Sequence, residues 1–309
     1  MDNMTISTAN ATIVTISILE FIMGETFNVG ILVVSSENLK GGNNVAELIY
    51  FFMGFANIFI QAVMTILNLF YINWPDLFNL REVYLTLFTL FWGLMQYSSW
   101  LTAWLCVHYC ITIANINHPV LVRLKRVLSS FRLHVFVMSI LPFLLSLVPI
   151  WFVSVALHVQ CPGLCTLESI FSVVLVLSPA YTTVNLLVTC ILPFALSFLS
   201  TGITASSLIK HMWRMKQKSS GMCPPNLQVV TNATKTMILF LTLSVSFHLS
   251  ELLLFLKPKL NISQILSVTS WLVVMSYPTA QAAIIIQANS KMKTWFLGKF
   301  CAWTLVNKT

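Results

Sequence analysis

Three side chains in one long apolar stretch recur at helical spacing and could together bind a small organic molecule. Trp92, Gln96 and Ser99 would share one face of a helix. An indole surface beside an amide and a hydroxyl gives the apolar wall and the few polar anchors that small-molecule pockets use. The alternative is that the tryptophan only anchors the helix at the membrane interface, where indole rings concentrate. The spacing alone leaves both interpretations open.

A second set of polar side chains lies within the apolar stretches, where an ionisable group is costly and normally faces other helices or a wet cavity. The set comprises Glu20, Glu25, Asn28, Asn57, Gln61, Gln96, His108, His248 and Glu251. Such groups bind a ligand, or they fix the register of helices through hydrogen bonds of about 0.6 kcal/mol each. For Asn28 and Asn57 we favour the structural role. His248 and Glu251 lie near the outer end of their stretch, where a solvated state is open to them. They form a lone pair without a third ligand, so no metal site is predicted.

Seven long apolar stretches carry these side chains and fill most of the 309 residues. The composition is 57% hydrophobic and 8% charged, against about a quarter charged in soluble domains. About 20 apolar residues let a helix cross the hydrocarbon of a bilayer, and a helix satisfies its own backbone groups there. We therefore predict an all-α membrane protein, a seven-transmembrane helix bundle that forms a single domain over 1–309. The predicted spans are 12–34, 48–71, 84–112, 135–157, 182–209, 236–256 and 265–288, followed by a cytoplasmic tail at 289–309.

The Lys and Arg residues predict the orientation of this bundle. All but three of the seventeen fall in alternate gaps between the spans or in the tail, the exceptions being Arg81, Lys257 and Lys259. Because an excess of basic residues marks the cytoplasmic side, we expect the N-terminus outside and the C-terminus inside. The formal charge of +8 then reflects loops beside anionic lipid, and nucleic acid is not an expected partner. Residues 289–297 predict a short amphipathic helix on the membrane surface, capped by Asn289 or Ser290.

Two cysteines and three sequons fall on the predicted outer side. Cys161 and Cys165 share an outer loop, where an oxidising exterior would permit a local disulfide between them. The other five cysteines are expected to be buried apolar side chains. The outer glycosylation candidates are Asn3, Asn10 and Asn261.

Motifs of the common enzyme classes are missing from the sequence, including HExxH, GxSxG, the P-loop and the dinucleotide-binding glycine pattern. We therefore expect no enzyme and no cofactor. A transporter would be expected to have matched halves with interrupted helices, and a channel would need a filter motif. A ligand-gated signalling bundle is the interpretation that the residues favour, with a seven-span transporter or channel as the alternative.

Six short motifs stand out along the chain: EFIMG at 20–24, HYCITIAN at 108–115, PFALS at 193–197, SSLIKH at 206–211, SYP at 276–278 and NSKMK at 289–293. Together they resemble motifs of the bitter taste receptors, the type 2 taste receptor family of G-protein-coupled receptors, and the similarity runs from about residue 15 to 300. Asn57, Thr112 and Gln281 stand where the family usually has arginine, lysine and histidine. We therefore expect a divergent member, and one that need not come from a mammal.

The resemblance implies a chemosensory receptor of the plasma membrane that binds a small, bitter organic agonist from outside. It also implies activation of a heterotrimeric G protein of the gustducin or Gi type. Trp92 and Gln96 map onto agonist contacts in span three, and Trp271 onto an agonist-contacting position in span seven. Phe247 maps onto the aromatic switch position of span six, and Asn68 of span two completes the ligand-binding candidates. The G-protein coupling candidates are Tyr109, Lys210, His211, Arg214 and Lys216.

Two further expectations concern the ligand and the family. An aromatic pocket without a nearby carboxylate favours neutral or weakly polar agonists over strict recognition of amines. The nearest rival family is that of the type 1 vomeronasal pheromone receptors, against which residues 208–211 at the end of span five favour the taste receptors. Membrane lipids are the remaining expected partner, because basic and apolar residues are mixed where span five ends.

Overall fold

The computed structural model describes residues 3–42, 44–78, 80–113, 140–141, 144, 187–217, 225–260 and 263–306, and within these ranges every regular element is a helix. The all-α prediction is confirmed for them. In chain order the helices are α1 (Asn3–Lys40), α2 (Val45–Asn73), the short α3 (Pro75–Phe78), α4 (Arg81–Ile113), α5 (Leu192–Gln217), α6 (Pro225–Leu260), α7 (Gln264–Ala288) and α8 (Ser290–Val306). The predicted fourth span, 135–157, lies almost wholly outside the described residues.

Five of the described helices are long and apolar enough to cross a membrane. These segments are Val14–Lys40, Val45–Phe70, Leu192–Lys210, Val230–Leu254 and Ile265–Ala288. They coincide with the first, second, fifth, sixth and seventh predicted spans. The protein is therefore a multi-pass helical membrane protein.

Helix α4 covers the third predicted span but is not among these five helices. Every residue from Met95 to Ala103 is buried, which is more than two full turns, and the run includes Gln96. Since α4 packs against α2, α5 and α6, its middle faces protein on all sides. A helix enclosed in this way can carry polar side chains that a lipid-facing helix could not.

Several helices extend beyond the predicted spans because no breaker ends them at the membrane surface. Helix α1 begins at Asn3 and not near residue 12, since no Gly or Pro lies between Asn3 and Met23. Helix α6 begins at Pro225 and not near 236, and proline is well tolerated in a first helical turn. Helix α8 has 17 residues, and so extends well past the short helix predicted to end at 297.

A π-helical turn, Leu187–Ile191, leads directly into α5. Pro193 lies just beyond it and has no N–H, and a proline ring clashes with the carbonyl group four residues earlier. That carbonyl group falls inside the π-helical turn, whose wider backbone accommodates the ring. At Pro193 the distortion that a proline causes in a helix therefore takes the form of a local change in helix type.

Helix α8 turns away from α7 at Asn289 and packs on α1. The Asn289 N–H donates to the Ile285 carbonyl group at 3.1 Å, and its side-chain oxygen accepts from the Lys291 N–H at 3.0 Å. Asn289 thus ends one helix and caps the next, as predicted. Phe296 of α8 is buried and meets Phe27 edge to face at 5.9 Å.

Candidate ligand site

One apolar cluster gathers side chains from α2, α4, α6 and α7 around three of the aromatic candidates. Phe247 is 3% exposed and belongs to the cluster, while Trp92 and Trp271 pack against it. The Phe247 ring lies 4.7 Å from the Tyr277 ring, centroid to centroid. Three side chains far apart in sequence are therefore brought to one region of the bundle.

Asn68 is joined to Trp271 by a direct hydrogen bond. The indole Nε1–H donates to Asn68 Oδ1 at 3.1 Å. The Asn68 amide nitrogen donates in turn to Ser17 Oγ at 3.1 Å and approaches Met275 Sδ at 3.5 Å. Asn68 therefore links α1, α2 and α7 and holds the Trp271 ring in place.

The α4 side of the region is formed by Trp92 and Gln96. Trp92 stacks on Phe88, with ring centroids 5.9 Å apart and planes 19° apart. Gln96 is 2% exposed, and its Oε1 accepts no hydrogen bond from the residues that the structure describes. Ser99, the third member of the predicted face, is buried as well. A buried amide oxygen without a donor is costly, so a bound hydrogen-bond donor would stabilise this position.

His248 and Glu251 face the bundle, so the solvated alternative for this pair does not hold. His248 Nδ1 lies 3.2 Å from Glu251 Oε2, and the two side chains are only 14% and 12% exposed. The imidazole also contacts the Phe247 ring, with centroids 5.3 Å apart. The premise that no carboxylate lies near the aromatic candidates is therefore wrong. The i, i+4 spacing of Phe247 and Glu251 was the signal that sequence reasoning missed.

No group of three His, Cys, Asp or Glu side chains that could hold a metal ion occurs among the described residues.

A second set of polar side chains lies deeper in the bundle, and its members are hydrogen bonded to one another and to the backbone. Asn57 Nδ2 donates to Asn28 Oδ1 at 3.1 Å and to the Pro278 carbonyl group at 3.4 Å. Ser98 Oγ donates to Gln281 Oε1 at 3.0 Å and approaches Asn57 Oδ1 at 3.3 Å. These bonds join α1, α2, α4 and α7, which confirms the structural role expected for Asn28 and Asn57.

The coupling candidates fall at the end of the bundle that carries most of the basic residues. The Tyr109 hydroxyl group is hydrogen bonded to the Tyr50 hydroxyl group, which ties α4 to α2. Lys210 is exposed on α5. The remaining candidates, His211, Arg214 and Lys216, continue the same helix, and their side chains lie outside the described part of the chain.

The structure describes only some of the candidate residues for glycosylation and for the disulfide. Asn3 and Asn10 fall within helix α1. Asn261, Cys161 and Cys165 lie outside the described residues, so both the third sequon and the local disulfide stay predictions.

The fold and the site define a class: a multi-pass helical membrane protein with an aromatic cluster between its helices. The particular family follows from comparison with known proteins. The model of the taste receptor protein (TAS2R) family matches residues 4–304, and the chain belongs to this family. It is thus a chemosensory G-protein-coupled receptor of the bitter taste family, a receptor and not an enzyme.

The relatives are distant but cover most of the chain. The chain is 23% identical to taste receptor type 2 member 40 of Gallus gallus over 286 residues, 90% of each protein. It is 26% identical to member 46 of Homo sapiens over 232 residues, covering 75% of the chain and 74% of the relative. It is 24% identical to member 7 of Rattus norvegicus over 296 residues, 92% of each. These identities agree with a divergent member, and the chicken relative is compatible with a non-mammalian origin.

Proposed function

We propose that the chain is a plasma-membrane receptor that crosses the bilayer seven times, with its N-terminus outside and the tail 289–309 inside. Five apolar helices and the enclosed α4 support six of these crossings, and the apolar stretch 135–157 would supply the other. The distribution of basic residues supports the orientation. The whole chain, 1–309, would then be one domain.

We further propose that a small, bitter organic agonist binds from outside, among Trp92, Gln96, Phe247, Trp271 and Asn68. The observation that carries this proposal is the buried Oε1 of Gln96, which has no hydrogen-bond partner among the described residues and lies beside an aromatic cluster. Ligand pockets are usually lined by apolar side chains and by a few polar groups that are free to hydrogen bond to the ligand. Agonist binding would favour one packing of the helices, provided that the agonist binds that packing more tightly than the other.

The end of α5 is the proposed surface for a heterotrimeric G protein of the gustducin or Gi type. Two exposed apolar side chains flank the exposed Lys210 there: Ile209 is 55% exposed and Trp213 is 69% exposed. Such a surface suits an acidic partner with apolar anchors, and where it is uncovered it suits anionic lipid headgroups. The coupling set is Tyr109, Lys210, His211, Arg214 and Lys216.

A calcium-release assay tests the proposed function. Cells expressing the chain with a gustducin-type or Gi-type G protein would be screened against a library of bitter compounds. We expect compounds that evoke calcium release only when both the chain and the G protein are present. A response that persists without any co-expressed G protein would favour the transporter or channel alternative, and a chain at the cell surface that stays silent throughout would contradict the proposal.

A further inference from the structure

A groove runs along one side of α8, at the end of the bundle that carries most of the basic residues. Its volume is about 720 Å³. The residues that line it recur every three or four positions, so they share one side of the helix. They are Ser290, Lys291, Thr294, Trp295, Gly298 and Lys299. This α8 groove therefore has a lysine near each end and an indole ring between the two lysines.

A side chain of α1 holds the first lysine in place. Lys291 Nζ donates to Asn38 Oδ1 at 3.1 Å. The amide nitrogen of Asn38 is buried and donates to no acceptor among the described residues. A buried donor without an acceptor is costly. An anion that accepted from both Asn38 Nδ2 and Lys291 Nζ would therefore stabilise this end of the groove.

The second lysine also has a neutral partner. Lys299 Nζ lies 5.8 Å from the centroid of the Trp295 ring, a cation–π contact that leaves the charge of the ammonium group uncompensated. Neither Lys291 nor Lys299 forms an ion pair with a described residue. Both ends of the groove therefore carry a positive charge that is free to attract an anion.

Acidic side chains are absent from the lining of the groove. No Asp or Glu occurs in 252–309. On the neighbouring helices, Glu47 accepts from Asn289 Nδ2 at 2.9 Å, and Glu37 precedes Asn38 on α1. Neither of these carboxylates lines the groove, so its charge is basic.

The spacing of the two lysines indicates which ligand the groove fits. Eight residues correspond to about 12 Å along a helix axis, which is farther than a single phosphate or carboxylate group spans. A head group with two phosphate groups can reach both lysines. Phosphate also offers enough acceptor oxygens for Lys291, Asn38 and the Ser290 hydroxyl group together. The Trp295 ring would pack against the part of the ligand between its two phosphates.

The position of the groove favours a membrane lipid as the source of these phosphates. Helix α8 begins at Ser290, two residues after the apolar membrane helix α7 ends at Ala288. Its first turn is therefore at the level of the lipid head groups. Leu297 of α8 is 57% exposed, which gives the helix an apolar side chain for contact with the hydrocarbon.

We propose that the α8 groove binds an inner-leaflet lipid whose head group carries a phosphate monoester in addition to its phosphodiester, such as a phosphorylated phosphatidylinositol. Lys291 and Asn38 bind one phosphate group, and Lys299 binds the other. The proposal takes its membrane face from the proposed orientation. It is otherwise independent of the agonist and of the G protein.

Lipid binding to the purified full-length receptor in detergent tests this site. The probes are short-chain fluorescent phosphatidylinositol bisphosphate, the same lipid without the added phosphates, and soluble inositol trisphosphate. We expect the bisphosphate lipid to have a Kd at least about tenfold lower than phosphatidylinositol, as is typical of hydrogen bonds to a charged group. Lys291→Gln and Lys299→Gln should each raise that Kd by about tenfold. Asn38→Asp keeps an acceptor for Lys291 but places a negative charge where the phosphate binds, so it should raise the Kd at least as much.

Lys293→Gln is the matched control. Lys293 is also exposed on α8 but does not line the groove, so loss of its charge should change the Kd by less than about threefold. Equal losses of affinity in Lys291→Gln and Lys293→Gln would indicate general attraction between charges and would overturn the site. Equal binding of the two lipids would overturn it as well. Soluble inositol trisphosphate that binds as tightly as the bisphosphate lipid would overturn a membrane lipid as the ligand.

Two variants keep the test decisive if Lys291→Gln does not fold. Unchanged affinity in either Lys299→Gln or Asn38→Asp would then overturn the site, and loss of affinity in both, with Lys293→Gln unaffected, would support it. The assay contains no agonist and no G protein. A receptor that is silent in the calcium assay can therefore still bind the lipid, and a receptor that does not bind the lipid leaves the proposed function standing.

Discussion

Polar side chains inside this bundle fall into two groups. In one group the polar atoms are hydrogen bonded to other parts of the protein, and in the other a buried oxygen has no donor among the described residues. Asn28 and Asn57 are bonded to one another, and Gln281 accepts from Ser98, so these residues hold helices together. Gln96 and Glu251 each keep a buried oxygen without a donor among the described residues. In a low-dielectric interior such an oxygen is expensive, and a ligand is one way to compensate it. Gln96 and Glu251 therefore differ from Asn28 and Asn57 in leaving a buried oxygen to which a ligand could donate a hydrogen bond.

Trp92→Ala should weaken the response to agonists because it removes the ring that stacks on Phe88 and packs against the aromatic cluster. We expect the half-maximal concentration to rise by about thirtyfold, which corresponds to about 2 kcal/mol for a buried aromatic contact. The measurement is a calcium dose response at matched surface expression. Trp74→Ala is the control, because Trp74 is 55% exposed beyond the end of α2. Equal curves for wild type and Trp92→Ala would exclude Trp92 as an agonist contact.

At the scale of whole helices, the position of α8 depends on one close approach to α1. A Cβ atom at Gly30 would overlap the Phe296 ring and lie 3.0 Å from the Trp295 ring. The absence of a side chain at Gly30 is thus what lets the apolar face of α8 dock. Met292, which is fully buried, and Phe296 are the residues that this docking covers.

Gly30→Leu should therefore destabilise the receptor, because a leucine there must displace the α8 aromatic rings. Overpacking of this kind costs about 1–3 kcal/mol, and we expect a lower Tm for the purified, detergent-solubilised protein. Gly298→Leu is a matched control on α8, since a Cβ at Gly298 meets nothing within 4 Å. Identical Tm values for the two variants would show that α8 is not held by this contact.

For the molecule as a whole, the uneven distribution of basic residues predicts which membrane face each terminus occupies. The C-terminal region, with Lys291, Lys293 and Lys299, should remain on the cytoplasmic side, where anionic lipid attracts it. An epitope tag after Thr309 should bind antibody only after the cells are permeabilised. A tag before Met1 should bind antibody on intact cells. Staining of the C-terminal tag on intact cells would reverse the proposed orientation, and with it the assignment of the ligand and G-protein faces.

Much of the architecture could be predicted from the sequence. The five apolar membrane helices lie where long apolar runs were found, because the thickness of the hydrocarbon sets a minimum length that few soluble segments reach. The Asn289 cap and the structural role of Asn28 and Asn57 were also predictable, since both follow from residue type and position along the helix. Helix ends were predicted less well: α1 and α6 continue through polar turns, where hydropathy changes but no residue breaks the helix.

The sequence by itself determined the helical class, the positions of most membrane segments and the family, since these depend on properties that run along the chain. Only the tertiary structure decided which helix faces meet. It enclosed α4, bonded Trp271 to Asn68, seated Phe296 over Gly30 and placed Glu251 beside Phe247 and His248. The physical reason is that an apolar helix can turn any face toward its neighbours at a similar hydrophobic cost in lipid. Packing and interhelical hydrogen bonds, which involve residues far apart in sequence, select the face that is buried.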